Sequence, residues 1–189
     1  MAVGIEPAWI TPLGAVHGSD VARVEAAGTL VPGVDGLVTD ALQVGLFATF
    51  ADCYPLIAYD PAHHAVGLAH AGWRGTAAGI ASRLVSALAE NFGSEPGLLQ
   101  VGIGPGICGA CYEVGLEFAD RFPEATLTWA AEGRLLLDLA EANRLQFLAA
   151  GVAAEKIELS GDCTLESRAF FSHRGLPDGS RFATLVALS

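Results

Sequence analysis

The sequence predicts a layered α/β or α+β fold in which mixed β-sheets are flanked by helices. Two observations predict it: short β-rich runs follow one another between residues 35 and 75, and segments of helical periodicity alternate with further strands after them. The chain has 189 residues, 52% hydrophobic and 16% charged. This length and composition fit one domain over residues 1–189 with a continuous core.

The β-rich runs predict strands at 44–50, 55–59 and 65–70. Turn-forming residues separate them, with Asp52 in the first gap and Asp60-Pro61 in the second. After Gly75 the apolar positions 80, 84, 85 and 88 recur at helical spacing. The sequence therefore predicts a helix that ends near Gly93.

The second half predicts two more helices among strands. A strand at 98–103 leads into the tight turn Gly104-Pro105-Gly106, and a short helix is expected at 112–122. A longer helix is predicted at about 137–149, with Gly151 closing it. Late strands are expected at 156–160 and 181–188.

The charge balance excludes some classes of partner. The net charge is −11, from 21 acidic and 10 basic residues, and no run of Lys or Arg occurs, so nucleic-acid binding is not expected. An anionic substrate would need a local device, such as one arginine or a group of backbone N–H donors. Charged residues interrupt the apolar stretches before they reach membrane-spanning length. Residues 1–11 carry neither a basic leader nor an apolar block, which predicts a cytoplasmic protein.

Four cysteines occur, at Cys53, Cys108, Cys111 and Cys163. A cytoplasmic chain of this size does not need disulfides, so metal binding or catalysis is favoured over crosslinking. Cys108 and Cys111 have CxxC spacing, but no second CxxC or HxxxH pair completes a zinc site. We therefore do not expect this pair by itself to bind a metal.

Three residues with metal-binding side chains lie at predicted strand ends or turns: His17, Cys53 and His70. Two imidazoles and one thiolate suit Zn²⁺ and leave a fourth position for water, as in catalytic zinc sites. Each also has an ordinary interpretation, as a turn residue, a small buried residue or a core histidine. Sequence periodicity cannot show that the three converge.

The chain resembles the YfiH, or laccase-domain, family through an ordered series of motifs, from about His17 to the C-terminus. The segments that carry the resemblance are VHG at 16–18, DGLVT at 35–39, ADCYP at 51–55, HAGWRG at 70–75, IGP at 103–105, CYEVG at 111–115, DCT at 162–164 and FFSHR at 170–174.

The resemblance implies a metal site and an activity. In that family the ligands are the histidine of Gln-Val-His-Gly, the cysteine of Ala-Asp-Cys and the histidine of His-Ala-Gly-Trp-Arg-Gly, which correspond to His17, Cys53 and His70. The implied reactions are phosphorolysis of the purine nucleosides adenosine, inosine and methylthioadenosine, and deamination of adenosine. The implied cofactor is Zn²⁺, with copper less expected.

Phosphorolysis needs inorganic phosphate held against the ribose. We expect Arg74 to bind phosphate through two of its N–H groups. The alternative for Arg74 is an ion pair with Asp52 or Glu113. The alternative for the glycines of the segment 104–109 is an ordinary tight turn. The other expected substrate contacts are Gly104, Gly106 and Cys111.

Further residues near the proposed ligands have less specific expectations. Alternation would point Asp52 away from Cys53, where it would support a histidine or cap a turn. We favour core packing for Trp73 over stacking on a purine. His63 and His64 are expected in a solvated hairpin loop.

The sequence departs from the family pattern in three places. Most members have a segment ahead of the first ligand that contains Thr-Arg-x-Gly-Gly and an Asn-Arg pair. We expect either a short form or a chain whose start lies further upstream, and for a short form a different substrate range. Ala15 stands where glutamine is usual. His173 replaces the tyrosine of Ser-Tyr-Arg-Arg and would add a titrating group.

Other functions stay open. A metal-free thiol hydrolase would use Cys53 as nucleophile and His17 or His70 as base, and a peptidoglycan-editing enzyme would act on cell-wall precursors. Copper-dependent phenol oxidation ranks low, because three ligands with one cysteine fall short of a multi-copper array. A non-catalytic zinc module also ranks low, since structural zinc is usually closed by four side chains.

Overall fold

The computed structural model describes residues 5–189, which form three sheets and three α-helices. The helices are α1 (Trp73–Ala77), α2 (Ile80–Phe92) and α3 (Leu139–Ala149). None of these combines the length and apolar character that crossing a bilayer requires. The strands are β1 (Ile10–Gly14), β2 (Val21–Arg23), β3 (Val31–Pro32), β4 (Gly36–Thr39), β5 (Gly45–Phe50), β6 (Tyr54–Asp60), β7 (Ala65–Ala71), β8 (Gln100–Ile103), β9 (Glu113–Val114), β10 (Leu127–Trp129), β11 (Leu135–Leu137), β12 (Ile157–Leu159) and β13 (Phe182–Ala187).

The two larger sheets are mixed. The six-stranded sheet has the order β12-β8-β6-β7-β4-β2, with parallel pairs at both ends and antiparallel pairs between them. In the four-stranded sheet, β13-β5-β1-β3, the β13-β5 pair is antiparallel and the other pairs are parallel. A small antiparallel sheet has the order β10-β11-β9. Mixed sheets with flanking helices confirm the predicted fold class.

The six-stranded sheet is covered on both faces at β7. On one face α2 packs closely, since a Cβ on Gly67 would lie 2.7 Å from Leu84 Cδ1. On the other face Leu68 shares a buried cluster with Phe50 of β5. Side chains alternate along a strand, so His70 lies on the same face as Leu68, with its ring centroid 5.4 Å from that of Phe50. The His70 side chain therefore points toward the four-stranded sheet.

The longest predicted elements are confirmed. β5, β6 and β7 lie where the three runs predicted strands, and β8, β12 and β13 match the later ones. α2 ends at Gly93, which has φ 74 and donates its N–H to the Ala89 carbonyl at 2.9 Å. α3 begins after Asp138, whose carboxylate accepts the Glu141 N–H at 2.9 Å, and the chain turns at Gly151 with φ 95. The two helices therefore begin and end close to the residues that the sequence predicted.

The helix predicted at 112–122 is wrong. Part of this segment forms β9, which pairs with β11, and Leu116–Phe118 forms a 3₁₀ turn. Phe118 and Phe122 have helical spacing, but their rings instead stack on each other with centroids 5.9 Å apart. Sheet pairing and Gly115, a poor helix residue, outweigh the spacing.

Most of the short elements were not predicted from the sequence. β1 to β4, β10, β11 and α1 contain five residues or fewer each. So few residues do not produce a recognisable period of 2 or 3.6. α1 also depends on tertiary contacts, because Asn143 of α3 donates a hydrogen bond to the Thr76 hydroxyl at 3.1 Å.

The hairpin loop between β6 and β7 holds His63 and His64, as predicted. His63 is not simply solvated, however. Its Nδ1 lies 2.8 Å from a carboxylate oxygen of Asp60, which is fully buried, while its own side chain is 42% exposed. This pair fastens the hairpin loop.

Candidate metal centre and its cavity

The structure brings His17, Cys53 and His70 into one cluster. His17 follows β1, Cys53 lies in the turn between β5 and β6, and His70 is near the end of β7. One ligand atom from each residue lies within 4.8 Å of the others. The two imidazole rings meet edge to face, with centroids 4.9 Å apart. The two packed sheets are what draw these strand ends together.

A fully buried carboxylate, Asp35, orients two of these residues. One of its oxygens accepts the N–H groups of Val16 and Gly18 at 3.1 and 2.6 Å, and the other accepts the His17 N–H at 2.8 Å. The second oxygen also lies 3.2 Å from Nδ1 of His70. Asp35 thus holds the loop in which His17 has φ 62. It also leaves Nε2 of His70 for the cluster, as carboxylate partners of zinc-binding histidines do.

The cluster shifts the pKa values of its members. Burial lowers the pKa of His70, but hydrogen bonds to Asp35 and Cys53 outweigh burial and raise it to about 9. Burial raises the pKa of the Cys53 thiol, but its contacts with His17 and His70 bring the net value down to about 7. For Asp35, hydrogen bonds from His70 and the loop backbone outweigh burial and leave its pKa below the ordinary value. The surroundings therefore favour Cys53 as a thiolate, the form that binds metals.

Asp52 braces the turn that carries Cys53 and does not contact a histidine through its carboxylate. Its φ is 82, a left-handed conformation that is uncommon for residues other than glycine. Its carboxylate accepts hydrogen bonds from the Thr164 hydroxyl and the Arg174 backbone N–H, both at 2.7 Å. The Ile107 N–H donates to its carbonyl at 3.0 Å. The histidine support expected of Asp52 comes from Asp35.

Gly72 leaves open the space among the side chains of His17, Cys53 and His70. A Cβ at this position would lie 2.9 Å from Cys53 Sγ, 3.1 Å from His17 Cδ2 and 3.9 Å from His70 Cε1. Its φ of −84 and ψ of 173 are open to any residue. The backbone conformation therefore does not require glycine at this position, whereas the narrow space among the three side chains does.

We expect Gly72→Ala to weaken metal binding without unfolding the protein. The methyl group would displace Cys53 or His17, and disturbing ligand orientation costs about 10- to 100-fold in metal affinity. Zinc affinity measured by competition with a chelator checks this. Gly102→Ala is the matched control, because a Cβ there meets no atom within 4 Å. Equal affinities in the two variants would contradict the prediction.

The cluster lies in the wall of a cavity of about 710 Å³, a size typical of small-molecule sites. Arg74, Arg174 and Arg181 line it, in a chain whose net charge is −11. The cavity therefore concentrates positive charge that the chain as a whole lacks, which favours an anionic ligand. Trp73, Tyr112 and His173 also line it.

Arg74 and Trp73 stack on each other in this wall. The guanidinium carbon of Arg74 lies 4.5 Å from the Trp73 ring centroid. Trp73 also packs against Phe118, with centroids 4.8 Å apart, which agrees with the expected core packing. Neither carboxylate considered as an ion-pair partner engages Arg74, since Asp52 has the bonds described above and Glu113 pairs with Arg134 at 3.4 Å.

The structure places Gly104, Gly106 and Cys111 away from this cavity. Gly104 borders a separate pocket of about 100 Å³. A Cβ on Gly104 would lie 2.6 Å from Pro55, and one on Gly106 would lie 2.5 Å from the Tyr54 ring. The glycines thus let the loop pack on β6, and a substrate contact by Gly104, Gly106 or Cys111 stays a prediction. Cys111 lies in a second cluster with Cys108 and Cys163.

Four residues of the site were not predicted from the sequence. Asp35 could have been identified, because it stands directly before an apolar segment. A buried aspartate at such a position needs hydrogen-bond partners. Tyr112 lay inside a matched motif but was assigned to a helix. Arg174 lay inside the matched segment FFSHR but was given no role, and Arg181, which reaches the cavity from the far end of the chain, had no local signal.

The chain is similar to known proteins both in sequence and in fold. A family model described as multi-copper polyphenol oxidoreductase laccase matches residues 1–189. The purine nucleoside phosphorylase YlmD of Geobacillus stearothermophilus is 44% identical over 176 residues, covering 84% of this chain and 64% of that protein. The adenosine deaminase RL5, from an unknown prokaryotic organism, is 36% identical, covering 86% of this chain and 64% of that protein. The crystal structure of YfiH from Bacillus licheniformis superposes with a TM-score of 0.90 at 31% identity, covering 98% of this chain and 76% of that one. The chain thus spans less than two thirds of the length of each of these two enzymes.

Proposed function

This chain belongs to the multi-copper polyphenol oxidoreductase laccase family, and on that premise we propose that it is a zinc-dependent purine nucleoside phosphorylase. The proposed substrates are phosphate with adenosine, inosine or methylthioadenosine, and deamination of adenosine is a second activity. The observation that carries the proposal is a cluster of two histidines and a cysteine that opens into a cavity lined by three arginines. The names of two relatives, a purine nucleoside phosphorylase and an adenosine deaminase, support the choice of reactions.

The donor set fits Zn²⁺. His17, Cys53 and His70 supply two nitrogens and one sulfur, a count that leaves a fourth position open as in catalytic zinc sites. Asp35 fixes the ring orientation of His70, and Gly72 keeps the space among the ligands clear. Bound there, zinc would supply Lewis acidity that lowers the pKa of water and stabilises developing negative charge.

The family description names copper, but the described residues favour zinc. The second cluster contains three cysteines and a glutamate and no histidine, so the two clusters together do not resemble the histidine-rich ligand sets suited to Cu(II). Elemental analysis of the purified protein decides between the ions. Copper in place of zinc, together with oxidation of a phenol, would overturn the proposed function.

Arg74 is the proposed phosphate ligand. Its planar guanidinium can donate two parallel hydrogen bonds to phosphate oxygens. Stacking on Trp73 restricts the side chain before the ligand arrives, which reduces the entropy lost on binding. Arg174 and Arg181 add positive charge from another part of the wall.

Two further side chains are suited to the nucleoside. Burial raises the pKa of Tyr112, so its hydroxyl stays protonated at neutral pH and can donate a hydrogen bond. His173 also lines the cavity and can donate or accept. The ribose hydroxyls and the purine nitrogens offer partners for both.

We expect Arg74→Ala to lower kcat/KM for phosphate by about 10- to 100-fold, the loss that follows from removing charge-assisted hydrogen bonds. Adenosine deamination, which uses no phosphate, should change much less. Initial rates over a phosphate titration provide the measurement. Arg121→Ala is the control, because the Arg121 guanidinium lies 5.7 Å from the same Trp73 ring but does not line the cavity. Unchanged phosphate dependence in Arg74→Ala would remove this residue from the role.

The function itself is tested by a chromatographic product assay with adenosine, with and without phosphate. Adenine and ribose 1-phosphate that appear only with phosphate establish phosphorolysis. Inosine formed without phosphate establishes deamination. An intact, zinc-loaded protein that forms neither product would overturn the proposal.

A second candidate, a Cys53 thiol hydrolase, is favoured by one observation. Cys53 contacts both His17 and His70, and its pKa of about 7 gives a substantial thiolate fraction at neutral pH. Chelation distinguishes the two functions. The thiol hydrolase would stay active without metal and lose activity on alkylation, whereas the proposed phosphorylase would lose activity on chelation.

A further inference from the structure

A second cluster of ligands lies outside the cavity. The sulfur atoms of Cys108, Cys111 and Cys163 and a carboxylate oxygen of Glu166 all lie within 4.8 Å of one another. Cys108 and Cys111 come from the loop after β8, and Cys163 follows β12. A parallel β-bridge between Gly106 and Cys163 holds the two segments side by side. A cysteine distant in sequence thus completes the CxxC pair that lacked partners.

Backbone N–H groups already point at these sulfurs. Cys163 Sγ accepts the Cys108 N–H at 3.3 Å and is also approached by the N–H groups of Leu165 and Glu166. The Cys111 N–H donates to the Cys108 carbonyl at 2.9 Å and also approaches the Cys108 sulfur. At Cys163 these donors outweigh burial and leave the pKa of the thiol below its ordinary value, whereas burial raises the pKa of the Cys108 and Cys111 thiols.

The spacing matches a tetrahedral metal site. With Zn–S bonds of about 2.3 Å, the ligands of a tetrahedron are separated by roughly 3.8 Å, which lies inside the 4.8 Å limit observed here. None of the three cysteines lines the large cavity. A role in the proposed reaction therefore does not account for three thiols and a carboxylate at one point.

We propose that Cys108, Cys111 and Cys163 bind a second Zn²⁺ ion, with Glu166 as the fourth ligand. Three soft thiolates select a thiophilic ion, and four protein ligands leave no open position, the count of a structural site. The site is independent of the proposed phosphorylase activity.

The ion would hold together two segments that support the cavity wall. It joins the loop that contains Ile107 to the segment that contains Thr164, and both of these residues hydrogen-bond to Asp52 in the turn that carries Cys53. Tyr112 follows Cys111 directly and lines the cavity. Losing this ion would therefore loosen the wall and lower the stability of the fold.

Zinc stoichiometry of the intact protein, measured by native mass spectrometry, tests the proposal. We expect two zinc ions per chain, one in Cys111→Ser and one in Cys53→Ala, which is the matched control at the other centre. With Co²⁺ as the probe, the thiolate-to-metal charge-transfer band should fall by about three quarters in Cys111→Ser and by about one quarter in Cys53→Ala, since the centres hold three thiolates and one.

The outcomes separate the two centres. A chain that binds one ion and loses it in Cys53→Ala would overturn the second site and leave the proposed function standing. A disulfide among the three cysteines, or copper at this cluster in place of zinc, would also overturn it. If Cys111→Ser does not fold, the Co²⁺ spectrum of Cys53→Ala decides, because a three-thiolate band must remain.

Discussion

Replacing Cys53 with alanine is expected to lower kcat/KM for adenosine phosphorolysis by roughly a thousandfold or more and to remove one zinc ion per chain. The thiolate is the one sulfur ligand of the centre, and the ion is worth several kcal/mol of transition-state stabilisation. Deamination of adenosine should fall as strongly, because both activities depend on the same centre. The fold should persist, since the side chain lies at a cavity wall.

Three measurements on the same preparation check this expectation: product formation, zinc content and melting temperature. His64→Asn is the control, because it removes an imidazole from the hairpin loop and asparagine tolerates the φ of 49 found there. The control should keep full activity and zinc content. Near-normal phosphorolysis by a folded Cys53→Ala protein that lacks this zinc ion would contradict the proposed role of the centre.

The second large effect is expected from Asp35→Asn. Asp35 accepts hydrogen bonds from three backbone N–H groups and lies against Nδ1 of His70. An amide turns one of its two acceptor oxygens into a donor, which leaves buried N–H groups unsatisfied at a cost of about 1–3 kcal/mol in stability. Because His17 and His70 lose their orientation together, zinc affinity should also fall by about 10- to 100-fold.

Asp60→Asn is the matched control for this substitution. Asp60 is also fully buried and also pairs with a histidine Nδ1, that of His63 at 2.8 Å, but it lies outside the cavity. Both variants should melt at lower temperature, while Asp35→Asn alone should lose zinc affinity and activity. If the two variants lost stability equally and both kept zinc, Asp35 would be a structural residue with no part in the metal centre.

The strands around the site show which parts of the fold can be predicted. β5, β6, β7 and α2 are long enough for their apolar pattern to appear in the sequence, and glycine stops mark where helices end. β1 and β4 are equally important to the site, since His17 follows one and Asp35 precedes the other. They were not predicted, because their apolar runs carry too little periodic signal to stand out from the loops on either side.

The available chemistry could be identified from the sequence: two histidines and a cysteine as candidate ligands, one arginine beside them, and a CxxC pair. Tertiary structure alone decided which of these residues meet. It joined Asp35 to His17 and His70, brought Arg174 and Arg181 to the cavity and Cys163 to the CxxC pair, and used Gly104 and Gly106 for packing. The physical reason is that such contacts depend on sheet order and on the packing of one sheet against another. These properties join residues far apart in the chain, and no local pattern of side chains records them.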